Sequence, residues 1–177
     1  MSEPVPKILK IPKISEMATD LWRTLAADHP VLTPQASLVW TAVVDVGARE
    51  ALGVSGHGER FIVPIHGGRF WGGPGHASLC GLVRPGGADR QLLRPDGVKE
   101  LHALYELQTD DGAVLTIDNQ VLVDEAVQPV RYALSRITVS APEGPHAWLN
   151  RRLLVGTLQT LRPARDAVLV RAFLLEN

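Results

Sequence analysis

The feature that most constrains this chain is a long series of apolar/polar alternations with a period of two, broken at short intervals by turn sequences. The breaks read GG at Gly67-Gly68, PGG at Pro85 to Gly87, PDG at Pro95 to Gly97 and DDG at Asp110 to Gly112. Such combinations supply the φ > 0 and fixed-φ positions that tight turns demand. Ten of the 16 glycines lie between Gly67 and Gly112, so the centre is where the chain turns most sharply. A segment rich in β-branched residues predicts a strand at Ser37–Val46, and the same period predicts further strands at Glu59–His66, His76–Arg84, Asp89–Leu93, Val98–Thr109, Ala113–Asn119, Val130–Ser140 and Asp166–Leu175. Trp148–Leu161 reads as a further strand broken at Gly156. Strands this close together, with almost no helix between them, pair antiparallel. About eight or nine of them close most readily into a barrel, which leaves no free edge. The predicted class is therefore mainly β: a closed or nearly closed antiparallel β-barrel of lipocalin-like (calycin-like) type, with a two-sheet sandwich as the alternative.

One stretch has the other period. Ile14, Ala18, Leu21, Trp22 and Leu25 recur at helical spacing, between a capping Ser15 and the His29-Pro30 stop. They predict one N-terminal helix over Ser15–Asp28, covering an open end or face of the sheet. Residues 1–13 are rich in proline and lysine and read as an extended arm. Residues 14–177 form a single domain.

Composition removes several functions. With 45% hydrophobic and 21% charged residues the chain is ordinary for a folded domain. Its formal net charge of -1, without any block of like charge, gives none of the positive field that nucleic acids or anionic membranes attract. Cys80 stands alone, so no intrachain disulfide forms, and it reads as a small buried residue. No signal-peptide core and no membrane-length apolar run occurs, so a cytoplasmic protein is the default. His57, His66 and His76 lack ligand spacing, and no metal or other cofactor is expected. Gly53-Val54-Ser55-Gly56 falls short of a nucleophile elbow, because His57 fills the closing position and no strand-to-helix context surrounds it.

HGGRFWG, PGGADRQLLRPDG, LHALYELQTDDG and WLNRRLLVG, in that order, resemble the landmarks of an uncharacterised family. It is known as domain of unknown function 3237, or uncharacterised protein family 0311. The resemblance covers roughly Gly53 to the C-terminus and implies a small β-barrel, often a dimer. Two departures from the family pattern stand out. Arg90 follows the Asp of GGAD where an aromatic is common, and His102 and Leu104 precede Tyr105 where an Asp and an Arg are common.

The strand before DDG carries the sharpest chemical question. Alternation puts Glu100, His102, Leu104, Glu106 and Gln108 on one face and Lys99, Leu101, Ala103, Tyr105 and Leu107 on the other. The second, more apolar set suits a hydrophobic core. If the first faces a barrel interior instead, His102 flanked by two glutamates becomes a proton-transfer group. Asp89, just after the double-glycine turn, reads either as a turn-capping carboxylate or as an inward general base or histidine-orienting group, and Tyr105 donates a hydrogen bond to a substrate oxygen if its hydroxyl reaches a cavity. Trp40, His66, Trp71, Arg94, Glu106, Arg136 and Trp148 are the expected substrate-contacting residues. Arg131 and Arg136 lie on opposite faces of their strand, so at most one points inward.

These residues favour a cofactor-independent isomerase, cyclase or lyase for a small, partly apolar carbonyl compound or natural-product-like molecule. The alternatives are a non-catalytic small-molecule-binding barrel and a structural subunit with Trp71 and the arm at an interface. Expected partners are a small-molecule ligand and a second copy of the chain. A cavity holding His102 or Asp89 beside aromatics favours the enzyme, an apolar cavity the binding barrel, and a filled interior the structural subunit.

Overall fold

The computed structural model describes residues 16–177, with side chains from Leu21 onward. The expected arm over residues 1–13 lies outside them. The helix α1 spans Glu16–Ala27. Ten strands follow: β1 (Gln35–Val46), β2 (Glu50–Ser55), β3 (Gly58–Gly72), β4 (Gly81–Val83), β5 (Ala88–Leu93), β6 (Lys99–Thr109), β7 (Val114–Asp124), β8 (Tyr132–Ser140), β9 (Leu154–Thr160) and β10 (Ala167–Glu176). No helix among the described residues is long and apolar enough to cross a membrane.

The strands form one closed antiparallel barrel, with neighbours running β1-β10-β9-β8-β7-β6-β4-β3 and β3 returning to β1. Two positions are shared. β1 and β2 follow one another along one edge of β3, which they meet at residues 65–72 and 58–62. β4 and β5 do the same along its other edge, at residues 68–70 and 59–64. Ten strands therefore occupy eight places around the barrel.

The period of two decides which side chains enter. On β7, Leu115, Ile117, Asn119, Val121 and Val123 are buried, and β8 continues with Ala133, Ser135, Ile137 and Val139. At one end of the barrel the interior is solid. Trp40, Phe70, Leu79, Leu107, Leu149 and Leu154 pack there as one apolar cluster. The short 3-10 turn Ala147–Arg151 brings Leu149 to this end. A smaller cluster of Leu101, Val121, Val123 and Ala133 marks the opposite end.

Three local expectations are corrected, and one strand had not been expected. Gly67-Gly68 is no turn, because β3 runs through both glycines at φ of 134° and 140°. A Cβ on Gly68 would sit 2.0 Å from the Val43 carbonyl oxygen, so the double glycine lets β1 cross β3 closely. Trp71 accordingly sits on β3. Only Gly81–Val83 of the expected His76–Arg84 strand is extended; before it, turn bonds run from His76 N to Gly73 O and from Leu79 N to His76 O. β2 gave no alternation signal, because five of its six residues are exposed and a register shift falls at Gly53. Gly156 does not break its strand. A side chain there would meet Ser135 Oγ at 2.4 Å, so glycine is a packing requirement within β9.

Candidate functional site

The end of the barrel away from the solid cluster holds a cavity of about 380 Å³. This lies in the lower part of the roughly 300–1,000 Å³ range of small-molecule sites. Val44, Ile65, Leu101, Val121, Leu158 and Val170 make its walls apolar. Asp89, Gln91, Tyr105 and Asn119 are among the polar side chains set into those walls.

The GGAD turn positions two of the four. Gly87 lies against β6 so closely that a Cβ there would be 2.6 Å from Tyr105 Cβ and 2.7 Å from the Leu104 oxygen. That approach brings Asp89 into register opposite Ala103 on one side and Val63 on the other. Asn119 faces the same Ala103 from β7, so Asp89 and Asn119 flank one residue from opposite neighbouring strands. Tyr105 is two residues further along the inward face of β6.

Asp89 Oδ2 accepts a hydrogen bond of 2.6 Å from Gln91 Nε2, while Oδ1 has no protein partner. Burial pushes its carboxyl up to about 6; the Gln91 amide and the His102 main-chain N–H offset only part of that effect. The Tyr105 hydroxyl and Asn119 Oδ1 are also buried without a partner in the protein. Burial alone raises the Tyr105 phenol far above its ordinary range. Each such group costs about 1–3 kcal/mol when nothing bonds to it. Among the described residues four buried side-chain polar atoms lack a partner, and three of them line this cavity. The fourth, Trp40 Nε1, lies in the packed half.

The mouth is cationic. Arg49, Lys99, Arg131 and Arg162 line it, each from a different segment: the β1–β2 connection, the start of β6, the β7–β8 connection and the β9–β10 connection. Lys99 and Arg131 share Glu125, at 3.0 and 3.2 Å, and this pairing holds the Glu125 carboxyl below its usual range. Arg162 meets Asp166 at 2.9 Å. The Arg49 guanidinium lies 4.1 Å from the centroid of the Phe61 ring.

Of the three residues expected to move protons, the structure brings Asp89 and Tyr105 together and separates His102 from them. The apolar set of β6 takes the interior. His102 points outward with its side chain 51% exposed, 3.0 Å from Asp118. Glu106 shares that outer face. None of the seven expected substrate contacts lines the cavity. Trp40 packs in the solid half, and Trp148 stacks on His76 with ring centroids 5.3 Å apart. Trp71 is 48% exposed, Arg94 pairs with Asp96 and Glu100, and Arg136 bonds Gln120 on the outer surface. His66 is exposed in a hollow beside Arg49 and Arg162. Asn119, Gln91 and the cations of the mouth are the residues that sequence reasoning missed. Arg131 was visible only as one of a pair of which one could point inward. No group of three or more His, Cys, Asp or Glu side chains among the described residues is placed to hold a metal ion.

These strands and this cavity define a small, closed antiparallel β-barrel. Residues 34–175 match the model of the family described as protein of unknown function (DUF3237), and the chain belongs to that family. A UPF0311 protein of Rhodopseudomonas palustris (strain ATCC BAA-98 / CGA009) is 33% identical over 138 residues, which are 71% of this chain and 88% of that protein. The crystal structure of a conserved protein of unknown function from Rhodopseudomonas palustris has a TM-score of 0.73 and 31% identity, covering 82% of this chain and 100% of that one. A "beta-barrel like protein" of Acinetobacter baumannii AYE has a TM-score of 0.71 at 26% identity, covering 84% and 99%. A protein described as an enzyme from Penicillium herquei shares the fold, with a TM-score of 0.65 at 20% identity over 84% and 98% of the two chains.

Proposed function

We propose that the barrel is a cofactor-independent acid/base enzyme acting on a small, largely apolar carbonyl compound. The observation that carries this reading is the convergence of three buried, unpartnered polar atoms on one apolar cavity. In this scheme Asp89 Oδ1 takes a proton from the substrate. The electron pair moves toward the carbonyl oxygen, which accepts a hydrogen bond from the Tyr105 hydroxyl, while Asn119 Oδ1 accepts one from a substrate hydroxyl. A hydrogen-bonding hydroxyl held in an apolar site stabilises developing charge better than water does. Gln91 orients Asp89 through the Oδ2 bond and leaves Oδ1 free for the proton. Return of the proton to another atom completes an isomerisation, attack within the substrate a cyclisation, and departure of a leaving group a lyase reaction.

A carboxyl near 6 is ionised at neutral pH yet basic enough to take a proton, which suits a general base. The fold also serves a protein called an enzyme, and that supports the reading at the level of architecture. The predominantly apolar wall favours, as a second reading, a barrel that binds such a molecule without converting it.

The test is incubation of the protein with a metabolite extract and a panel of small carbonyl compounds in deuterium oxide, read by mass spectrometry. Wild type should convert or deuterate at least one compound, and Asp89→Asn should lose roughly 10²–10⁴-fold of that activity. Equal conversion by Asp89→Asn removes Asp89 from the chemistry. Binding without conversion assigns the second reading.

A further inference from the structure

The cavity has a polarity along its length. Lys99 opens β6 at the mouth opposite Leu93, and Asp89 lies opposite Ala103, four residues along the same strand. At about 3.3 Å per residue the rim cation and the carboxylate are separated by roughly 13 Å along the wall. Four cations stand at one end of this path and one carboxylate further in. Lys99 and Arg131 divide a single glutamate between them, and Arg162 has Asp166. Arg49 has no carboxylate within ion-pair distance among the described residues and is held over an aromatic ring instead. In a chain whose formal net charge is -1, four cations drawn from four separate segments to one opening form a local positive field. Fields of this kind steer oppositely charged ligands and fix their orientation.

We propose that the mouth selects molecules bearing a carboxylate or another organic anion at one end, with an apolar body that enters the barrel. Arg49, together with Lys99 and Arg131, holds the anion at the rim. The carboxylate of Asp89 repels it from the inner wall, so the molecule enters in one direction only, with its uncharged reactive end toward Tyr105 and Asn119. This inference rests on the cavity being the ligand site, and it holds whether the ligand is converted or merely bound.

Two fluorescent probes with the same aromatic body separate the ideas: 1-anilinonaphthalene-8-sulfonate, which is anionic, and N-phenyl-1-naphthylamine, which is neutral. In wild type at roughly 0.05 M salt the sulfonate should bind at least about tenfold more tightly than the amine. Arg49→Gln/Arg131→Gln, or roughly 0.5 M salt, should reduce that gap to about threefold or less without changing the affinity for the neutral probe. Ala103→Phe, with its fold checked by circular dichroism, should expel both probes. Equal affinities in wild type, or a preference that the double substitution leaves intact, overturns anion selection alone. Sulfonate binding that survives Ala103→Phe places the anion outside the barrel and overturns it too. Failure of both probes to bind wild type overturns the ligand cavity itself.

Discussion

Asp89 has its carboxylate enclosed by apolar side chains, with one oxygen left unpaired by the protein. Its native state keeps the proton up to about pH 6, whereas an unfolded aspartate releases it near about 3.9. The stability linked to that proton is therefore fully present below about pH 4 and is lost as pH rises through about 6. Above that, the ionised carboxylate weakens the fold by an amount of order 3 kcal/mol. Asp89→Asn should thus raise stability in chemical denaturation at pH 7.5, and much less at pH 4, while removing turnover. A loss of stability at both values would mean that the carboxylate is structural. If Asp89 is the base, kcat/KM of wild type should rise with pH to a plateau, with an apparent pKa of about 6. Tyr105→Phe should leave the fold as stable or up to about 2 kcal/mol more stable, since it deletes a buried hydroxyl without a protein partner. Ligand affinity, measured by titration, should fall. Asp89 and Tyr105 were legible in the sequence because one follows a double-glycine turn and the other shares a face with Leu101 and Leu107. Asn119 was not, because a buried asparagine amid Ile117 and Val121 looks like the end of a strand.

Alternation on β6 left two faces to choose between, and burial of Leu101, Tyr105 and Leu107 settles which one enters the barrel. That choice puts His102 on the outer surface. The boundaries of β5, β6, β8 and β10 were legible within two residues at either end, because β6, β8 and β10 each carry an apolar face and β5 is bracketed by the PGG and PDG turns. β2 lacks an apolar face, and β3 continues through glycines that normally signal a bend. Both exceptions depend on contacts between strands, which no single segment encodes. Gly68→Ala tests the crossing of β1 and β3. Its Cβ would overlap the Val43 carbonyl at a positive φ, and the loss of stability should be about 3 kcal/mol or more in urea denaturation. A loss near that of an ordinary strand glycine would mean that the seam opens without strain. At the barrel's other junction, Arg165 forks onto Asp45 at 2.6 and 2.8 Å. The pair is mostly exposed, so Arg165→Ala should leave the midpoint of urea denaturation nearly unchanged.

The barrel closes through β1, which pairs both with β10 and with β3. Its strands thus join residues far apart in sequence, as at Gln35 and Glu176. Such topologies fold slowly, on the order of milliseconds to seconds, because long loops must close before contacts form. Residues 34–177 should unfold in a single cooperative transition, with tryptophan fluorescence and far-ultraviolet circular dichroism coincident. Separate transitions would show that the two ends of the barrel are independent.

The interior is divided between a solid end built on Trp40, Phe70 and Leu107 and a hollow end built on Asp89, Tyr105 and Asn119. This division separates the residues that secure folding from those that line the cavity. Substitutions in the hollow end can alter what is recognised while the packed end goes on supplying the cohesion that a viable chain needs. A lineage with this layout can diversify its chemistry by exchanging a few wall residues and rim charges, without passing through unfolded ancestors.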